Sequence, residues 1–322
     1  MEQAPDIIDS YLRKIEDFLM QALTGSEAEQ RVNSLCLQMV RAGGKRLRPR
    51  LAVAAALCLG EADLKEEDVI RFAAALELLH TATLIHDDVI DRAAMRRGQP
   101  TINETDGNHV AVLAGDYMFT RSFAAMQSLD SMRLFMASNR AVTALVQGEF
   151  SQLQRVGDLS LSRGEYERVI YCKTGALFEL AATGIAIHTS QERERIEALS
   201  VYGTKLGIGF QVVDDMLDYS SSSERLGKTV GEDLADGRIT LPLIIARERL
   251  EGAARESFAR AVAAQDLPAV LEFIGRTSAL EACADYAGRA ALEARQALGI
   301  FPESAARREL SALARQAVER SF

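Results

Sequence analysis

No proline interrupts the chain between Pro100 and Pro242, and only six occur in 322 residues. A proline inside a helix removes a backbone donor and clashes with the preceding turn, so long helices need stretches of this kind. The interval is rich in Ala, Leu and charged residues, which enter helices at little cost. A sheet protein would carry more turn punctuation. The sequence therefore predicts an all-α chain, and 48% hydrophobic content supplies material for a buried core.

Apolar residues recur at helical spacing from Ile7 to Leu23. The same pattern predicts helices over 27–42, 49–59, 65–91, 108–127, 130–156, 163–187, 191–219, 239–263, 266–276, 278–296 and 303–320. No segment reads as a strand. Three breaks are rich in Gly, Ser, Pro and charge: 43–49, 96–108 and 221–238. No solenoid-type repeat is visible.

The formal net charge of -9 argues against a general nucleic-acid binder, because phosphate backbones demand a basic face. Cys36, Cys58, Cys172 and Cys283 lack CxxC spacing and lie in apolar helical contexts, so they read as free buried thiols. The amino terminus is acidic and amphipathic rather than signal-like. Apolar runs such as Leu51 to Leu59 fall short of the ~20 residues that span a bilayer. The expectation is a cytoplasmic protein with no stable membrane anchor.

Two clusters carry the strongest chemical signal. LIHDDVID places Asp87, Asp88 and Asp91, and QVVDDMLD places Asp214, Asp215 and Asp218. In each, the carboxylates at i and i+4 share a helix face and can reach one metal. A single cluster of this kind is more often a solvated helix end. Two on apolar helices, each followed by a basic loop, point to a site. Oxygen-only donors favour a hard cation such as Mg²⁺, shared with substrate phosphates.

Cations accompany both clusters. GGKRLRP sets Lys45, Arg46 and Arg48 between a glycine turn and a helix start, which suits an anion. Arg96 and Arg97 follow the first cluster, and Lys173, Lys228 and Arg238 accompany the second. His80, two helical turns before Asp87, and Gln211, just before Asp214, read either as satisfied core groups or as parts of a phosphate site. Ala82 and Thr83 either leave room along their helix or serve close packing.

Together the motifs GGKRLRP, HTATLIHDDVIDRAAMRRGQPT, AGDYMF, KTGALFE and GFQVVDDMLDYSSSSERLGKTVGEDLADGRITLPL resemble the trans-isoprenyl diphosphate synthase (polyprenyl synthetase) family over nearly the whole chain. The resemblance implies a single-domain, all-α isoprenoid synthase fold with helices around a deep central cavity. It implies that Asp87, Asp91 and Asp214 hold Mg²⁺, about three ions with substrate bound, with Asp88, Asp215 and Asp218 completing the motifs. Lys45, Arg48, His80 and Arg97 match the isopentenyl diphosphate site. Arg96, Lys173, Thr174, Gln211 and Lys228 match positions around an allylic diphosphate such as farnesyl diphosphate. Arg238 stands where relatives commonly carry Lys, which replaces a point charge by a planar fork.

The resemblance further implies a head-to-tail prenyltransferase and a homodimer. Helix 108–127 could serve as an interface or as core. The segment SSSERLGK, 221–228, reads as a lid, with Ser220 to Ser223 expected to be mobile without ligand. Ala82 and Thr83, where short-chain relatives often place an aromatic, favour a product of about octaprenyl class, with Phe119 and Phe123 as candidate floor residues. A shorter-chain farnesyl or geranylgeranyl synthase and a non-catalytic subunit remain alternatives. A cyclase or head-to-head enzyme is disfavoured by GGKRLRP, and a helical scaffold leaves the paired clusters unexplained.

Overall fold

The computed structural model describes residues 4–25, 29–60, 64–220 and 230–319. Among these residues every regular element is helical except one hairpin of two-residue strands, Met95–Arg96 and Gln99–Pro100. The hairpin departs from the all-helical expectation. Its two-residue loop, Arg97 and Gly98, has φ of 52° and 74°, the left-handed pair that matches strand twist.

The chain forms two compact units, each assembled from three sequence segments. The first comprises residues up to Ser138 with Ala181–Ile196 and Phe301–Leu310. Its central helix is Glu66–Ile90, whose acidic first turn, Glu66, Glu67 and Asp68, complements the helix dipole. That helix packs chiefly on Asn108–Gln127 and also on Leu47–Cys58 and Ala4–Ala22. Ala73, Ala74, Ala75 and Ala82 are buried along it, and small residues let neighbouring backbones approach.

The second unit comprises Asn139–Leu180, Glu197–Ile300 and the chain from Ser311. Val212, Val213, Met216 and Leu217 pack with Leu243, Ile244, Phe258, Val270, Ile274 and Cys283 in one core. The helix Arg163–Ile170 opens with a capping box between Ser162 and Glu165. It runs into a single π-helical turn, Tyr171–Gly175, before Ala176–His188. The helix predicted over 239–263 is instead two, Leu241–Arg249 and Gly252–Ala263. Leu250 and Glu251 are extended between them, and Gly252 has φ of 51°. The expected break at Arg238 ends where Thr240 precedes Leu241 and Pro242, a residue suited to a first helical turn.

The helix Glu66–Ile90 and the segment Arg163–His188 are long and apolar enough to cross a membrane, contrary to the run-length reading. Their apolar windows are 67% and 72% buried, as in core helices of a globular protein. All four cysteines are free, and Cys36, Cys58 and Cys283 are buried, as expected.

Candidate functional site

In the first unit the glycine turn delivers Lys45 exposed and Arg46 in the left-handed region, with φ of 46°. Arg46 is not available to a ligand. Its guanidinium pairs with Glu16, donates to Glu77 at 2.8 Å and donates to the Val40 carbonyl at 2.8 Å. Glu77 is 3% exposed and extends its field to Arg48 and Arg97. Burial lowers the Arg48 guanidinium to about 10, with Glu77 opposing the shift. Burial, then Arg48, Arg97, Arg96 and Arg46, push the His80 imidazole well below its ordinary value. The group therefore offers guanidinium and neutral imidazole N–H donors to an anion at neutral pH.

The first acidic cluster closes the same helix. Asp87 is half-buried on its last turn and Asp91 is the exposed C-cap residue. Asp88 is 2% exposed and accepts a hydrogen bond from Arg96 Nε at 2.6 Å. Burial raises the Asp88 carboxyl, and Arg96 opposes that shift. Thr101 and Asn103 both donate to the Ala93 carbonyl, which ties the loop carrying Arg96 and Arg97 to the helix end. Arg97 lies across Gly44, where an added Cβ would meet its Nη2 at 2.9 Å.

Ala82 is fully buried, whereas Thr83 is half-buried with its hydroxyl donating to the His80 carbonyl at 2.8 Å. His86, Phe119, Phe123 and Phe135 form a row of rings with successive centroids 5.5, 6.3 and 6.1 Å apart. Gly115 admits the first ring, because a Cβ there would lie 2.2 Å from His86 Nε2.

In the second unit the π turn carries Lys173 and Thr174. Lys173 pairs with Glu149 at 2.8 Å and donates to Gln152 at 2.9 Å. Thr174 donates to Gln211 Oε1 at 2.7 Å, and Gln211 Nε2 donates to Asp215 Oδ1 at 2.8 Å. Tyr166 donates to Asp215 Oδ2 at 2.6 Å. Burial raises the Asp215 carboxyl to about 7, against the Tyr166 and Gln211 hydrogen bonds that favour the charged form. Lys173, Gln211, Asp215, Asp233 and Arg238 all line one cleft of about 90 Å³.

Asp218 holds backbone rather than a side chain, accepting from the Glu232 and Asp233 amides at 3.1 and 3.0 Å. Asp233 is raised well above its ordinary value by burial and by Asp215 and Asp218, while Arg238 lowers it. The Arg238 guanidinium lies 3.6 Å from Asp233 and 3.2 Å from Asp236.

A polyprenyl synthetase family model matches residues 29–272. The chain belongs to the polyprenyl synthetase family. It is 38% identical over 324 residues to the octaprenyl diphosphate synthase of Escherichia coli, covering 96% of this chain and 99% of the relative. It is 39% identical over 292 residues to an all-trans-nonaprenyl-diphosphate synthase (geranyl-diphosphate specific) of Rhodobacter capsulatus, covering 90% and 89%. Among solved structures, a decaprenyl diphosphate synthase from Rhodobacter capsulatus superposes with a TM-score of 0.91 at 34% identity, covering 98% and 97%. A polyprenyl synthase from Caulobacter crescentus, complexed with calcium and isoprenyl diphosphate, gives 0.89 at 35% identity and 99% of each chain. These likenesses establish the all-α isoprenoid synthase fold.

Within this polyprenyl synthetase the predicted residues fall into two groups. Arg48, His80, Asp87, Asp88, Asp91, Arg96 and Arg97 cluster in the first unit. Lys173, Thr174, Gln211, Asp214, Asp215, Asp218 and Arg238 belong to the second. Lys228 and Ser221 to Ser223 lie outside the described residues. The motif reading passed over Glu77, Glu149, Gln152, Tyr166 and Asp233. Glu77 carried a usable signal, a lone acid in the apolar run AAALELLH, and Asp233 stands within a quoted motif. Tyr166 had none, since its importance comes from a partner 49 residues away.

Proposed function

We propose that the chain is a long-chain all-trans polyprenyl diphosphate synthase that adds isopentenyl diphosphate units head to tail to an allylic diphosphate such as farnesyl diphosphate. The carrying observation is the cation group around a neutral His80 on the helix that ends in Asp87 and Asp91. Arg48, Arg97 and His80, with exposed Lys45, are assigned to the diphosphate of isopentenyl diphosphate, which accepts hydrogen bonds and donates none.

Asp87, Asp91 and Asp214 are assigned to Mg²⁺. They supply oxygen alone, and no cage of three or more His, Cys, Asp or Glu forms among the described residues. That donor chemistry fits an ion that also uses diphosphate oxygens. When bound, Mg²⁺ offsets the charge that develops on the leaving diphosphate. Arg96, Lys173, Thr174, Gln211, Lys228 and Arg238 are assigned to the allylic diphosphate.

The allylic C–O bond breaks with its electron pair leaving on the diphosphate, and the double bond of isopentenyl diphosphate attacks the allylic carbon. The proton then lost from the condensed product passes to the released diphosphate. The cationic residues orient both substrates, and proximity lowers the barrier. Apolar walls exclude the water that would quench the cation. Ala82, Thr83, Phe119 and Phe123 are assigned to the length ruler. The active form is assigned as a homodimer.

The test is incubation of the purified protein with farnesyl diphosphate, isopentenyl diphosphate and Mg²⁺, with chromatographic sizing of the products. A discrete long-chain product is expected, abolished by EDTA and in Asp87→Ala, and shortened in Ala82→Phe. No elongation with any allylic primer overturns the reading.

A further inference from the structure

The second acidic motif contains a carboxylate whose two oxygens are each held by a neighbouring side chain. Asp215 is 5% exposed. Tyr166 donates to its Oδ2 at 2.6 Å and Gln211 donates to its Oδ1 at 2.8 Å. Gln211 presents its amide nitrogen to Asp215 and its oxygen to Thr174. Thr174 is then the donor in their 2.7 Å contact. The polarity of the whole chain runs from Thr174 to Asp215.

That polarity exposes a weak point. Thr174 has one hydroxyl proton, and a diphosphate oxygen can only accept. A hydrogen bond from Thr174 to a diphosphate therefore takes the proton away from Gln211, whose amide is then free to turn. Tyr166 is the donor that stays. It is 3% exposed, and its helix is fixed at the start by the Ser162 and Glu165 capping box. A buried phenol carries its hydroxyl on a ring with little freedom, which suits it to hold a partner in place.

We propose that Tyr166 is a positioning residue for the second aspartate motif: it clamps Asp215 from the side opposite Gln211 and so fixes the helix end that presents Asp214. The role rests on the synthase reading above, in which Asp214 serves the cation and the allylic diphosphate. Tyr166 lines the same cleft as Asp215 and acts through its hydrogen bond to that carboxyl.

Tyr166→Phe keeps the ring and removes the donor. Steady-state kinetics of the full chain should give a kcat about tenfold lower, with several-fold increases in the KM for farnesyl diphosphate and in the Mg²⁺ needed for half-activity. The KM for isopentenyl diphosphate should be unchanged. In an Asp215→Ala background, which leaves no acceptor for the phenol, the same change should cost less than twofold, because residues that act as a unit are not additive. Wild-type kinetics in Tyr166→Phe, equal losses in both backgrounds, or a parallel rise in both substrate KM values overturn the proposal.

Calorimetry with inorganic diphosphate and Mg²⁺ reads the clamp without turnover. Tyr166→Phe should bind several-fold more weakly than wild type, and Tyr166→Phe/Asp215→Ala no more weakly than Asp215→Ala alone. Equal affinity of wild type and Tyr166→Phe overturns the proposal, even where the wild type fails to elongate and the synthase reading falls separately. Circular dichroism accompanies each variant. Should Tyr166→Phe not fold, Tyr166→Gln, which keeps a donor, is measured by the same calorimetry: affinity within twofold of wild type supports the clamp, and a several-fold loss that persists in the Asp215→Ala background overturns it.

Discussion

Arg46 shows how one residue can serve a site without touching its ligand. Its positive φ and its three partners consume a cation that the glycine turn would otherwise offer to an anion. Glu77, 4% exposed at its side chain, is the acid that makes this arrangement tolerable. Removing one partner of a buried pair costs up to about 3–5 kcal/mol where the other is stranded, and Arg46 without Glu77 keeps Glu16 and the Val40 carbonyl. Glu77→Leu should therefore lose less than that, about 1–3 kcal/mol in urea unfolding, and an undiminished midpoint would deny the pair its importance. His80 makes a second, opposite case, since its neighbours hold it neutral. In the unfolded chain it takes a proton near 6.5, and in the fold only well below that. Its contribution to stability is therefore complete above pH 6.5 and is lost as pH falls toward the depressed folded value. Urea unfolding of His80→Asn should show a shallower acid loss than wild type below pH 6.5, by at most about 1.4 kcal/mol per pH unit, the slope for one proton. Titration of His80 at or above 6.5 by NMR would contradict this.

At the scale of elements, the π turn Tyr171–Gly175 re-aims a helix at the positions of Lys173 and Thr174. Such single-turn insertions are frequent at functional sites. The turn is braced by Gly207 on the neighbouring helix, where a Cβ would lie 2.7 Å from Gly175 Cα. Backbone cannot yield as a side-chain tip can, so Gly207→Ala should cost about 1–3 kcal/mol. Its melting temperature should fall, and its KM for the allylic substrate should rise more than that for isopentenyl diphosphate. The same region shows where legibility ended. Helical spacing announced the segment 163–187, but an extra residue within a helix leaves that apolar pattern nearly unchanged. The hairpin at Arg96 to Gln99 was missed for a related reason: its loop starts with Arg, not the Asn or Asp that usually marks positive φ. Leu250 and Glu251 gave no turn signal either, and only Gly252 hinted at the break.

For the whole molecule, local signals told more than distant ones. Both aspartate motifs and the basic loops were legible because spacing and charge sign are local properties. The Arg46–Glu77 and Tyr166–Asp215 partners were not, because they join residues 31 and 49 positions apart. Nor did periodicity tell which apolar residues remain at the surface. In the first unit Val112, Leu113, Met132 and Met136 are exposed, with Leu113 at 65%. In the second, Val146, Phe150, Leu153 and Val156 are exposed, with Phe150 at 62%. Scattered exposed apolar residues are ordinary, but a helix such as Met132–Gln154 that presents so many asks for a covering surface. On the proposed homodimer, that surface is a second copy of the chain. Leu113→Glu and Phe150→Glu each place a charge where an apolar contact would be buried, and an unpaired charge is costly there. Sedimentation at micromolar concentration should show a dimer for the wild type and a shift toward monomer for either variant. A monomeric wild type, or variants that remain fully dimeric, would mean that these side chains do not carry the association.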